Sequence, residues 1–168
     1  MPIEKITSQE QDINPTVLRD ALGCFPTGVA VVTTVGENGK PVGMTISSFN
    51  SVSLDPALIL WSIALTAPSL SAFRNHGAFA INILHKDQGD LCMQFARPSD
   101  DKFANVEWTP GYKGVPVLED ALVTLECETY KTVEGGDHEV YMGEVKCIHK
   151  TESHPLVFHR GQLVELAS

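Results

Sequence analysis

This sequence is poor in positive charge and lacks every common nucleotide fingerprint. Its 12 Lys and Arg stand against 21 Asp and Glu, for a formal net charge of −9. Nucleic acid and anionic membrane surfaces are therefore poor partners, and any anionic ligand needs locally placed cations or backbone N–H groups. Neither G-x-G-x-x-G nor G-x-x-x-x-G-K-[ST] occurs, which excludes a Rossmann fingerprint and a P-loop. No stretch approaches a membrane span, and the N-terminal "MPIEKITSQEQDINPT" has no apolar h-region, so a cytoplasmic location is expected. The four cysteines, Cys24, Cys92, Cys127 and Cys147, form no C-x-x-C pair. A Cys127–Cys147 bridge between neighbouring strands is conceivable, but free thiols are favoured in a reducing compartment. His149, His154 and His159 are spaced by five, which fits neither a helix face nor a strand face, so no metal is expected. No internal repeat or low-complexity tract is present.

What is present is a soluble globular chain of 168 residues, 43% hydrophobic and 20% charged, most economically one domain over 1–168 with a polar tail over about 1–13. "NPTVLRDALGCFPTG" carries a helix start, with Asn14 as N-cap and Pro15 at the first helical position. Val17, Leu18, Ala21 and Leu22 then share a face. "GVAVVTTVG" ends in "GENGK", a hairpin signal, and its expected partner is one strand, "PVGMTISSFNSVSL", closed by Asp55-Pro56. "ALILWSI" and "AFAINIL" read as apolar strands. "APSLSAFRNHG" reads as a helix capped by Ser69 and ended by Gly77, and "KDQGDLCMQFA" as another. The chain from Pro98 to Pro116 is loop-rich. "ALVTLECETYKTV" and "HEVYMGEVKCIHKT" alternate around the turn "EGGD", and "PLVFHRGQLVEL" supplies a last strand or two. Short strands punctuated by turns, with few helices, predict a mainly β barrel in preference to a doubly wound α/β sheet.

One stretch stands apart. "GMTISSFNSVSLDP" interleaves Thr45, Ser47, Ser48, Ser51 and Ser53 with Ile46, Phe49, Val52 and Leu54, and carries no charge between Met44 and Leu54. In a regular strand Thr45, Ser47, Ser51 and Ser53 point one way. That face is either solvated or set against an extended, uncharged polar ligand. "EGGDHEVYMGEV" likewise reads as a plain hairpin turn, or as a turn presenting His138 at the rim of a pocket. In "FARPSDDKF", Arg97 and Lys102 are either solvated charges or a counter-charge for a phosphate.

Taken together, "FPTGVAVVTT", "GMTISSFNSVSLDPALILWSI", "FAINIL", "DKF", "GVPVLEDALVTLEC" and "GGDHEVYMGEV" resemble the flavin reductase family. More narrowly, they resemble the short-chain reductase components of two-component flavin-dependent monooxygenases. The motifs run in order from about Leu18 to Gly161. The resemblance implies a split β-barrel of the Greek-key, FMN-binding type, forming a homodimer with flavin near the subunit interface. It implies that Thr45, Ser47 and Ser48 contact the flavin ring edge or ribityl chain, and Ser51 and Ser53 its polar tail. Ser69 and Lys102 would serve the phosphate, Phe95 and Phe103 would line the pocket, and Thr27 would approach from the other side. His138 is the nicotinamide candidate. Many relatives carry an aromatic residue where this chain has Leu163 after Gly161. The implied activity is hydride transfer from NADH or NADPH to FMN or FAD, delivered as reduced flavin to a separate monooxygenase. Hydride transfer needs no side-chain nucleophile, because the cofactor carries the chemistry. A flavin-binding electron-transfer module and a split-barrel oxidase of the pyridoxamine-phosphate oxidase type are the alternatives.

Overall fold

The computed structural model describes residues 5–7 and 12–166, so most of the expected polar tail lies outside the described residues. In chain order the elements are α1 (Pro15–Gly23), β1 (Thr27–Gly28), β2 (Ala30–Val35), β3 (Pro41–Ile46), β4 (Asn50–Leu54), β5 (Ala57–Ala64) and α2 (Leu70–His76). There follow β6 (Ala78–Ile83), α3 (Gly89–Ala96), β7 (Trp108–Pro110), β8 (Pro116–Leu118), β9 (Val123–Gly135), β10 (His138–Lys150), β11 (Val157–His159) and β12 (Gln162–Val164).

The helix start is as expected. The Asn14 side chain accepts the Thr16 N–H at 2.8 Å, and Pro15 sits where a missing N–H costs nothing. None of the helix's residues is buried, however, and the apolar face expected to meet the core is left open, with Leu22 65% exposed. Beyond it, Phe25 is 75% exposed.

Seven strands form one antiparallel sheet in the order β3-β2-β6-β9-β10-β5-β4. Among the described residues the edge strands β3 and β4 do not pair with each other, so this mainly β sheet is not closed. Strand alternation sends Val32, Ile46, Trp61, Ile63, Phe79, Ile81 and Tyr141 to one face, where Phe73 of α2 completes the cluster. Trp61 and Tyr141 are directly paired across β5 and β10, and their rings stack with centroids 5.1 Å apart. The close approach of Phe79 explains Gly143. A Cβ there would lie 2.4 Å from the Phe79 ring and 2.9 Å from the Cys127 Cβ, so only glycine fits.

The other face of the sheet collects Val29, Val31, Leu84, Cys92 and Phe95, which seats α3 across β2 and β3. Buried Asn82 satisfies its whole carboxamide. It donates to the Val31 carbonyl at 3.0 Å and the Thr33 hydroxyl at 3.2 Å, and accepts from the Leu118 N–H at 3.0 Å and the Thr124 hydroxyl at 3.1 Å. It thereby pins β8, and the loop-rich segment before it, to the sheet. The cysteines are free thiols. Cys127 pairs with Val145 and Cys147 with Glu126, so the conceivable bridge has no geometry to form.

Candidate active site

The hydroxyl-rich stretch is not one regular strand. Its first half, β3, pairs with β2 at one edge of the sheet, whereas its second half, β4, pairs with β5 at the opposite edge. The chain must pass from one edge to the other, so residues 47–49 leave both ladders, and a bulge between Ser51 and Ser53 breaks the register again. The single hydroxyl face expected from alternation therefore does not exist. The crossing itself opens a cleft of about 540 Å³, within the roughly 300–1,000 Å³ usual for small-molecule sites.

Met44, Thr45, Ile46, Ser47 and Ser48 form one wall of this cleft. Ser62 and Ala64 of β5 form another, and Gly135, His138 and Val140 of the β9–β10 hairpin form the third. The β5–β10 register, which sets Ala64 beside His138 and Ser62 beside Val140, brings the last two walls together.

The serines differ in what they do. The Ser48 hydroxyl donates to the Ser62 carbonyl at 3.2 Å and accepts the Ser62 N–H at 3.0 Å. This side chain takes the place of a strand partner where the β4–β5 pairing has stopped at Asn50 and Leu60. Thr45 is also committed, donating to the Cys92 carbonyl of α3 at 2.6 Å. Ser47 is exposed and makes no protein hydrogen bond, which leaves its hydroxyl free for a ligand.

Among the described residues no lysine, arginine or carboxylate lines the cleft, and His138 is the one titratable residue that does. His138 Nδ1 lies 2.7 Å from Asp137 Oδ1, and that hydrogen bond holds the exposed Asp137 carboxyl below its ordinary range. The next residue along β10 faces the other way. Glu139 accepts from the Arg74 guanidinium at 2.6 Å, which holds its carboxyl below the usual value despite desolvation.

The remaining sequence-predicted residues lie outside the cleft lining. Ser69 makes no side-chain capping bond, and its hydroxyl lies 3.4 Å from the sulfur of Met44, a residue of the cleft wall. Phe95 and Phe103 meet edge-to-face at 4.9 Å beneath β3, where the Phe95 ring packs on Gly43. Lys102 Nζ donates to the Phe95 carbonyl at 2.8 Å, and desolvation lowers its ammonium below the ordinary value. Thr27 stands on β1 against Phe158, its hydroxyl oxygen buried without a partner. Ser51 and Ser53 ride on the edge strand β4. Leu163 sits on β12 beside Phe158. Sequence reasoning missed Ser62, Ala64 and Val140. Ser62 had one available signal, a lone hydroxyl in an otherwise apolar strand.

Residues 22–167 match the model of the flavin reductase like domain. The chain belongs to this family. It is 44% identical over 144 residues to the reductase component of a flavin-dependent trigonelline monooxygenase of Acinetobacter baylyi, covering 86% of this chain and 46% of that one. It is 40% identical over 148 residues to an FMN reductase (NADH) of Agrobacterium fabrum, covering 88% and 84%. An NADH:FAD oxidoreductase of Streptomyces globisporus superposes over the full length of both chains with a TM-score of 0.90 at 33% identity. A second structure of that protein, in complex with NAD and FAD fragments, gives a TM-score of 0.88. The chain spans about half the length of the Acinetobacter relative, whereas the whole Streptomyces protein is matched. Among the described residues no helix is long and apolar enough to cross a membrane.

Proposed function

We propose that this flavin reductase like domain transfers a hydride from NADH or NADPH to FMN or FAD and hands the reduced flavin to a separate monooxygenase. The observation that carries the reading is the cleft. It is uncharged, has free hydroxyls on Ser47 and Ser62, and joins the crossing from β3 to β4 with the histidine of the β9–β10 turn. The flavin supplies a planar, redox-active ring that accepts the hydride. Met44, Ile46 and Val140 offer apolar contact to such a ring, while Ser47 and neighbouring backbone groups bond its polar edge. Ser48 and Thr45 hold the wall in place, since their hydroxyls are already bonded to the protein. His138, which lines the cleft and is steadied by Asp137, is the nicotinamide contact in this reading. The chain thus contributes approach, orientation and exclusion of water.

An uncharged cleft suits the ring and leaves the phosphates to lie beyond it, where Lys102, Ser69, Ser51 and Ser53 are the candidate contacts. Phe95 and Phe103 back β3 at Gly43, and Thr27 is the candidate contact from the other side. We read the open sheet as a split β-barrel of the Greek-key type and residues 1–168 as one domain. A homodimer is favoured by the unburied apolar face of α1, by Leu54 at 97% exposure, and by Ile148 at 64%. A cytoplasmic location and a preference for NADH complete the reading.

Following the absorbance of NADH and NADPH with FMN, FAD or riboflavin added in turn tests it. Oxidation that depends on added flavin is expected. Binding of flavin without oxidation of either nicotinamide would replace the reductase with an electron-transfer module.

A further inference from the structure

A second cluster of chemistry-bearing groups lies well away from the cleft. Glu126 of β9 and Cys147 and His149 of β10 place one ligand atom each within 4.8 Å of one another. Cys147 Sγ is 3.6 Å from His149 Nε2, and His149 Nε2 is 2.5 Å from Glu126 Oε1. On the same strand the cleft ends at Val140, so Cys147 stands about 20 Å further on at the usual rise per residue.

Two features distinguish this cluster from an ordinary surface ion pair. First, Glu126 is a buried carboxylate, 4% exposed, and a buried charge needs compensation. Its Oε2 accepts the Tyr112 N–H, which fixes the carboxylate's orientation and leaves Oε1 aimed at His149. The nearby lysines do not serve it. Lys113 pairs with Glu128, and Lys146 bridges Glu128 and Glu144.

Second, a β-bulge decides which side chain Glu126 faces. The β9–β10 register runs Glu144 to Glu128 and Val145 to Cys127, so an unbroken ladder would set Lys146 against Glu126. The irregularity between Val145 and Cys147 inserts one residue, and Cys147 takes that place instead. The fold thus puts a thiol beside the carboxylate where a ready ammonium stood one position earlier. His149, two residues on, shares the face.

We propose that Glu126, Cys147 and His149 form a binding site for a single zinc-class divalent cation, with a fourth coordination position open to water. The donor set is mixed oxygen, sulfur and nitrogen, which suits zinc and excludes magnesium or calcium. Bond lengths of about 2.0 Å to nitrogen and 2.3 Å to sulfur put tetrahedral ligands roughly 3.5 Å apart, close to the observed Cys147–His149 separation. On loading, the Nε2 proton that His149 shares with Glu126 passes to Nδ1 or to solvent, both atoms bond the metal instead, and they separate to about 3.3 Å. The Cys147 thiol loses its proton to solvent as the sulfur–metal bond forms. Tyr112, holding Glu126 from behind, acts as the orienting partner that metal carboxylates commonly have. The loaded site ties β9 and β10 to the loop that carries Tyr112.

Cobalt(II) is the probe, because its thiolate complexes give a charge-transfer band. Titrated into tag-free, chelator-treated protein, cobalt is expected to produce that band, saturating at one equivalent and abolished by zinc. Cys147→Ser should remove it and His149→Ala should weaken cobalt binding by more than about tenfold, while Cys24→Ser leaves both intact. Both target side chains are exposed, so the variants are expected to fold, which circular dichroism checks. Absence of a band in the parent protein overturns the proposal. So does a band that survives Cys147→Ser, or an affinity unchanged in His149→Ala.

Discussion

The contrast between Ser47 and Ser48 offers the sharpest test of how the cleft is built. Adjacent in sequence and alike in composition, they have different work. Ser48→Ala removes two hydrogen bonds to Ser62, one given and one received. Each such bond contributes about 0.5–1.5 kcal/mol net. The Ser62 N–H and carbonyl have no strand partner on that side, because β4 pairs with β5 only as far as Leu60. The substitution should therefore cost about 2 kcal/mol, and for a chain of this length about 2–4 °C accompanies each kcal/mol. A fall in Tm of about 4–8 °C is expected by scanning calorimetry. Ser47→Ala removes an exposed hydroxyl with no protein partner, so its Tm should stay within about 2 °C of the parent. Fluorescence titration with FMN should show the reverse ranking for direct contact, Ser47→Ala losing up to about tenfold in affinity through one missing hydrogen bond. An unchanged Tm in Ser48→Ala, or a lowered one in Ser47→Ala, would refute this division of roles.

Three further outcomes follow from the same structure. His138→Ala should raise the KM for NADH more than it weakens flavin binding, because His138 stands at the rim with its partner Asp137 outside the cleft; steady-state kinetics beside flavin titration separate the two. Gly143→Ala should destabilise by about 1–3 kcal/mol, read by urea unfolding, since the new methyl meets the Phe79 ring and the Cys127 Cβ. Glu139→Gln should lower Tm at pH 7, because it breaks the Arg74 pair. The carboxyl's folded pKa lies below its unfolded value of about 4.3, so the pair's stabilisation is complete above that pH and is lost as pH falls through the folded value. The Tm difference between variant and parent should accordingly close in acid.

The local signals were strong wherever short-range chemistry decides. Asn14 and Pro15 announced α1, Gly77 ended α2 with φ at 74°, and the Gly135-Gly136 turn delivered the long β9–β10 hairpin. His138 and the hydroxyl-rich stretch were likewise legible as candidate ligand contacts, because their residue types and motif spacing survive without coordinates. Other features depended on partners distant in the chain. The stretch from Met44 to Leu54 reads as one strand, yet its halves bond to β2 and β5 at opposite edges of the sheet, and no local pattern encodes that separation. Whether a serine is free or tied was equally hidden, since Ser48 is spoken for by Ser62, fourteen residues on. The His149, His154 and His159 spacing suggested no metal, while a bulge brought Cys147 and His149 to a glutamate on another strand. Residue identity and turn chemistry are properties of the sequence and could be read from it. Register, edge pairing and the burial that leaves one hydroxyl bonded and its neighbour free arise only when distant strands meet, so the tertiary structure alone decided them.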